Sequence, residues 1–257
     1  MIARFTKWNL RLGLAAFMFS AIFFSSCNRK FYVPNQVHVP SLQHRNDFSV
    51  TGGLLSGDQV QGLAGYVAYS PLDNFGIIGS YSSFRASERE NPSYGYLWDL
   101  GAGAYFPTTN ANYEFYGGYG RGFNHQSFGV GTWGEFDLER YFIQGVFTIP
   151  TKYFHFFAGM RMCLLRFNSG VVILSEEFNE TANLEFIRAN SPFTLVEPTW
   201  GVRIGRPGIY MVMQRTSTFS RLSQKELTSN MASIGFHITP DLFTKGRKNK
   251  RYNDFSY

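Results

Sequence analysis

Three residues of this chain are of the types that hydrolytic chemistry brings together: His125 and Ser127, separated by Gln126, and Glu139, further along the chain. A serine attacks only when a base stands beside it and the base is itself held in place. The other histidines, His38, His44, His155 and His237, do not follow metal-ligand spacing. No glycine-rich phosphate loop, P-loop or Cys-pair motif occurs, and no cofactor or metal is expected. A second set of residues offers charge rather than reactivity. Asp99, Glu114, Arg140, Arg161, Glu197 and Arg203 fall on the polar side of alternating segments. They are three acids and three bases, so the expected chemistry is mutual neutralisation inside the fold. Arg161 and Glu197 come out at similar heights on neighbouring segments and are expected to form an ion pair.

The His-x-Ser pair followed by a glutamate resembles the arrangement in outer-membrane lipid A deacylases. The resemblance implies His125 as base, Ser127 as nucleophile and Glu139 as the residue that orients the histidine. The chain departs from that family directly after the serine, where Phe128 stands in place of Asn. The segmentation also puts His125 and Ser127 in a glycine-rich outer loop. These are therefore expected to be polar loop residues without a catalytic role, and Cys163 reads as a small packed side chain.

The elements that must position these residues are legible in the composition. Of 257 residues, 44% are hydrophobic, 18% aromatic and only 16% charged. So many rings exclude a disordered chain, and two cysteines exclude a disulfide scaffold. The residue types that dominate coiled coils do not dominate here. The net charge of +6 sits at the two ends. Arg4, Lys7 and Arg11 lie before the apolar run, Arg29 and Lys30 follow it, and Lys245, Arg247, Lys248, Lys250 and Arg251 crowd the C-terminus. A nucleic-acid binder spreads its basic charge over a folded face, so no nucleic acid is expected as a partner.

Residues 1–26 combine a basic start with the apolar run Leu12 to Phe24. That is the plan of a signal peptide. Phe24-Ser25-Ser26-Cys27 then resembles a bacterial lipobox, which implies cleavage before Cys27 and acylation of that cysteine. Residues 27–46 contain Pro34 and Pro40 among several valines and read as an extended tether. Some Bacteroidota-type lipoproteins carry an acidic surface-export signal after the cysteine. Asn28-Arg29-Lys30 has no acid, so that resemblance implies a lipid in the periplasmic leaflet and a periplasmic tether.

From Asp47 onward the pattern alternates with period two. Between Tyr94 and Phe106 the even positions carry Tyr94, Tyr96, Trp98, Leu100, Ala102, Ala104 and Phe106, whereas Gly95, Asp99, Gly101 and Gly103 oppose them. Segments 153–168 and 231–239 repeat this. Ten strands are predicted near 47–55, 60–70, 75–85, 94–107, 113–123, 138–149, 153–169, 193–204, 209–218 and 230–240. Short turns alternate with longer loops at 86–93, 124–137, 170–192 and 219–229. Membrane barrels show an apolar face to lipid, keep a polar face inside, and have short periplasmic turns and longer outer loops. A soluble lipocalin-like barrel would need polar outer faces, which most of these strands lack. The loop 170–192 holds Glu176, Glu177, Glu180 and Glu185 against Arg188 and reads as a solvated loop, with a contact surface outside the cell as the alternative.

The expected protein is therefore all-β: an antiparallel up-and-down transmembrane β-barrel of about ten strands, residues 47–243, with a basic tail at 244–257. An even strand count puts both ends of the barrel on the periplasmic side of the outer membrane. The whole plan resembles the small outer-membrane β-barrel lipoproteins of Bacteroidota. That resemblance implies a non-enzymatic accessory subunit of an outer-membrane complex in protein insertion, secretion or nutrient uptake. Its partners would be outer-membrane lipid and other proteins of the complex, with the basic tail as one contact. A narrow solute channel and a lipid-A-modifying hydrolase are the alternatives.

Overall fold

The computed structural model describes residues 32–57, 60–86, 93–129, 132–151, 153–173, 191–220 and 229–240. Cys27 and the basic residues Lys245, Arg247, Lys248, Lys250 and Arg251 lie outside them, as do Glu176, Glu177, Glu180 and Glu185. Ten strands form a closed barrel: β1 (Phe48–Gly57), β2 (Val60–Leu72), β3 (Phe75–Ala86), β4 (Tyr94–Pro107), β5 (Asn112–Gly129), β6 (Thr132–Pro150), β7 (Phe154–Ile173), β8 (Phe193–Arg206), β9 (Ile209–Ser220) and β10 (Ser229–Ile238). Each strand pairs antiparallel with its sequence neighbours, and β1 closes the ring on β10 from Val50↔Ile238 to Ser56↔Ala232.

The alternation settles which face points where. Leu54, Leu63, Leu100, Ile143 and Phe236 stand on the outside, 59–64% exposed, while Asp99, Glu114, Arg140 and Glu197 on the inside are at most 3% exposed. The barrel is apolar outside and charged inside. This inverts a water-soluble fold and matches the two-faced strands of a membrane barrel.

The strands β5, β6 and β7 are longer than expected. Residues 124–137 were expected as an outer loop, but pairing continues from Asn124↔Phe136 through Ser127↔Trp133 to Gly129↔Thr132. The sequence runs on with inward Asn124, Phe136 and Leu138 and outward His125 and Trp133. Alternation therefore persists, and a hairpin that satisfies its own backbone groups is favoured over a loop that does not.

Residues 32–46 also lie elsewhere than expected. They were expected to form a periplasmic tether beside the short-turn rim. The described part, from Tyr32 onward, instead runs inside the barrel. Tyr32, Asn35, Gln36, Val37, Val39 and Leu42 are each no more than 3% exposed. The physical reason is volume. A ten-strand barrel whose inner wall carries many glycines has a lumen its own side chains do not fill. At Gly76 an added Cβ would lie 2.7 Å from Leu42 Cδ1, so the wall is cut back where the threaded segment touches it.

The segment has a direction. Asn46 donates its N–H to the Ser70 carbonyl at 2.7 Å, near the β2–β3 turn on the short-turn rim. At the other end Val33 packs with Leu55, Val60, Phe84 and Met231, which lie where β1, β2, β3 and β10 approach the long-loop rim. The chain thus climbs the lumen from residue 46 up to residue 32.

Candidate functional site

The lumen holds the six charged residues singled out above, and the structure divides them between two levels. At the upper level Asp99 on β4, Arg140 on β6, Arg161 on β7 and Glu197 on β8 form one network. Arg161 and Glu197 are register partners, and Arg161 Nε donates to Glu197 Oε2 at 2.6 Å. Arg140 Nε donates to Asp99 Oδ1 at 2.8 Å. The pairs also approach each other, with Arg140 Nη1 at 3.8 Å from Glu197 Oε1 and Arg161 Nη1 at 3.6 Å from Asp99 Oδ2. Two acids and two bases, all buried, make the cluster neutral, which is the tolerable way to hold charge away from water.

The threaded segment completes this cluster. The Tyr32 hydroxyl donates to Glu197 Oε1 at 2.8 Å and accepts from Arg140 Nη1. Asn35 Nδ2 donates to Asp99 Oδ2 at 2.7 Å and to Ser80 Oγ at 2.8 Å. The Asn35 carbonyl accepts from Arg161 Nη2. Both ion pairs therefore grip the segment as well as each other.

At the lower level Glu114 and Arg203 also bond to the segment. Glu114 accepts the backbone N–H groups of Ser41 at 3.1 Å and Leu42 at 3.0 Å. Arg203 donates to Ser41 Oγ at 2.6 Å and to the Val39 carbonyl, with its guanidinium 5.2 Å from the Phe157 ring. Between the levels Gln144 donates to the His38 carbonyl at 3.0 Å and Gln214 to the Val37 carbonyl at 2.7 Å. Val37 and Val39 meanwhile pack on Val146, Phe157 and Val212. The proline-containing segment satisfies its backbone on side chains from the wall rather than by joining the sheet.

Sequence reasoning missed this role. Tyr32, Asn35 and the carbonyls from Val37 to Val39 function as ligands of the barrel wall. One signal was available: 32–40 is rich in valine and proline and has no charged side chain, unlike the polar composition of a flexible linker.

The expected hydrolytic residues lie outside the lumen. His125 and Ser127 belong to β5, not to a loop, and both face outward near the long-loop rim. The His125 ring stacks between Tyr94 at 4.7 Å and Trp133 at 5.4 Å. Its Nδ1 lies 3.2 Å from Glu135 Oε1. Glu139 pairs instead with Arg121, further down the hairpin, so the carboxylate opposite the histidine is Glu135 and the expected role of Glu139 is corrected. The register of β5 on β6 decides which glutamate faces His125. Cys163 points inward, buried, with Sγ 3.6 Å from Glu197 Oε2. Among the described residues no group of side chains has the makings of a metal site.

No protein-family model matches the chain, and no curated protein does. Among solved structures it is similar to the N-terminal β-barrel domain of Pseudomonas aeruginosa OprF, at 10% identity over 77% of this chain and 99% of that one, with a TM-score of 0.33. It is also similar to Ail, the attachment invasion locus protein of Yersinia pestis, at 10% identity over 76% and 99%, with a TM-score of 0.33. The translocator domain of the autotransporter NalP from Neisseria meningitidis shows 14% identity over 75% and 86%, with a TM-score of 0.35.

Proposed function

We propose that this chain is a sealed outer-membrane β-barrel lipoprotein, acylated at Cys27, that acts without catalysis as an accessory subunit of an outer-membrane complex in protein insertion, secretion or nutrient uptake. The observation that carries the reading is the occupied lumen. A segment fixed at two levels by Asp99, Arg140, Arg161, Glu197, Glu114 and Arg203 fills the space a solute would use. That argues against the channel alternative and leaves the outer apolar face, the loops and the tail as the surfaces that act. Lys245, Arg247, Lys248, Lys250 and Arg251 would add an electrostatic contact to an acidic partner or anionic headgroups. The test is purification of the tagged full chain in mild detergent. A partner recovered at fixed stoichiometry supports the reading. A chain that purifies alone under conditions preserving other membrane complexes overturns it.

One observation favours a second reading. His125, Ser127 and Glu135 share the lipid-facing side of the β5–β6 hairpin, with His125 Nδ1 against the carboxylate. On this reading Ser127 attacks the carbonyl of a rim-lipid ester while His125, oriented by Glu135, takes the serine proton and passes it to the departing alcohol; water then cleaves the acyl-serine and releases the fatty acid. Release of fatty acid from a lipid A substrate by the purified chain, lost in Ser127→Ala, would favour it over the accessory role.

A further inference from the structure

The threaded segment fixes on which side of the membrane the N-terminus must emerge. Its contacts climb in order. Ser41 and Leu42 meet Glu114, close to the short-turn start of β5. The Val37 carbonyl meets Gln214 midway along β9. Gln36 meets Ser233 and Met231, near the long-loop start of β10. Tyr32 reaches Glu197 and Arg140, and Val33 packs against Leu55 and Val60 at the upper ends of β1 and β2. The lumen below Tyr32 is occupied by the chain's own residues 33–46.

Reach excludes a return. Along β8 from Glu197 to Arg206 at the short-turn end is about 30 Å of strand, or about 23 Å of height at a tilt near 40°. From Cys27 to Tyr32 a fully extended chain spans about 18 Å at most. Five residues of chain beyond Tyr32 are too few to span the height back to the short-turn rim.

On the reading that the barrel sits in an outer membrane with its short turns in the periplasm and that Cys27 is acylated, we propose that the lipid anchor is displayed on the external face. The barrel's own N-terminal segment is threaded outward through the lumen, and the acyl chains enter the outer leaflet beside the long-loop rim. The anchor and the end of β10 then lie on opposite sides of the membrane. The basic pair Arg29 and Lys30 is separated from the basic tail and lies at the leaflet where anionic headgroups or a surface partner would meet it.

The experiment uses the full chain in intact cells and a membrane-impermeant maleimide. Cys163 is buried and is replaced by Ala in the background. Three reporters are introduced singly: Lys30→Cys, Asn183→Cys in the long β7–β8 connection and Ser256→Cys in the tail. The expected result is labelling of Lys30→Cys on intact cells to the same extent as Asn183→Cys, with Ser256→Cys labelled only after the outer membrane is permeabilised. Labelling of Asn183→Cys on intact cells with Lys30→Cys reached only after permeabilisation overturns the threading proposal and leaves the barrel reading intact. Labelling of Ser256→Cys on intact cells with Asn183→Cys protected would show the opposite orientation and overturn both.

Discussion

Asp99 and Arg140 form their ion pair across a strand that lies between them. Asp99 on β4 is the register partner of Gly120 on β5, and Gly120 is in turn the partner of Arg140 on β6. A Cβ at position 120 would lie 2.1 Å from Asp99 Oδ1 and 3.2 Å from Arg140 Cγ. The glycine is the gap through which the two side chains meet. Gly120→Val should force the pair apart and leave charge unpartnered inside the barrel, a loss on the order of 3–5 kcal/mol. The midpoint of thermal unfolding in detergent, followed by the mobility difference between heated and unheated barrel on a gel, is expected to fall clearly. An unchanged midpoint would mean that the wall relaxes around the new side chain.

Arg161 and Glu197 permit a cleaner energetic test. Arg161→Met alone leaves Glu197 buried with only the Tyr32 hydroxyl, the Cys163 thiol and the more distant Arg140 beside it, and should cost on the order of 3–5 kcal/mol. Arg161→Met with Glu197→Leu removes both charges and should recover much of that. If the double variant is no more stable than the single one, the four charges act as one unit with Asp99 and Arg140 and not as two pairs.

Glu114 is the receptor for the backbone of the threaded segment near the short-turn rim. Glu114→Ala leaves the N–H groups of Ser41 and Leu42 without their acceptor, at about 1–3 kcal/mol for each buried donor left unpaired. Local release of the segment should show as faster hydrogen exchange at Ser41 and Leu42 while exchange in β6 and β7 stays slow. Equal acceleration in those strands would show that segment and barrel unfold as one.

Removing the obstruction should change conduction. The wild-type chain in a planar bilayer is expected to pass no steady current. Deletion of residues 32–40 is expected to open an aqueous path through a lumen already lined by charge. Tyr32→Ala with Asn35→Ala, which keeps the chain length, should give intermittent current as the segment loosens. Steady current through the wild-type chain would contradict the sealed lumen.

Much of the architecture was present in the alternation of residues. Tyr96, Trp98 and Leu100 against Asp99 and Gly101 suffice to say that one face meets lipid and the other does not. The period-two pattern is a local property of the backbone, so ten strands and the inward set of six charges could be read from it. How far β5 and β6 stay paired beyond Asn124 and Asp137 could not, because it is a matter of register between two strands. That register sets Glu135, not Glu139, opposite His125. The course of residues 32–46 was also beyond local reading. Prolines and valines specify an extended chain, but whether it lies outside the barrel or within depends on the volume left by glycines such as Gly76 and Gly120 on strands far away in sequence. Local alternation carried the existence of ten strands, their two faces and the set of charges that would be buried, though not the full length of β5, β6 and β7. Only the closed barrel decided what fills the lumen, because an empty volume is a property of the whole ring and of no single segment.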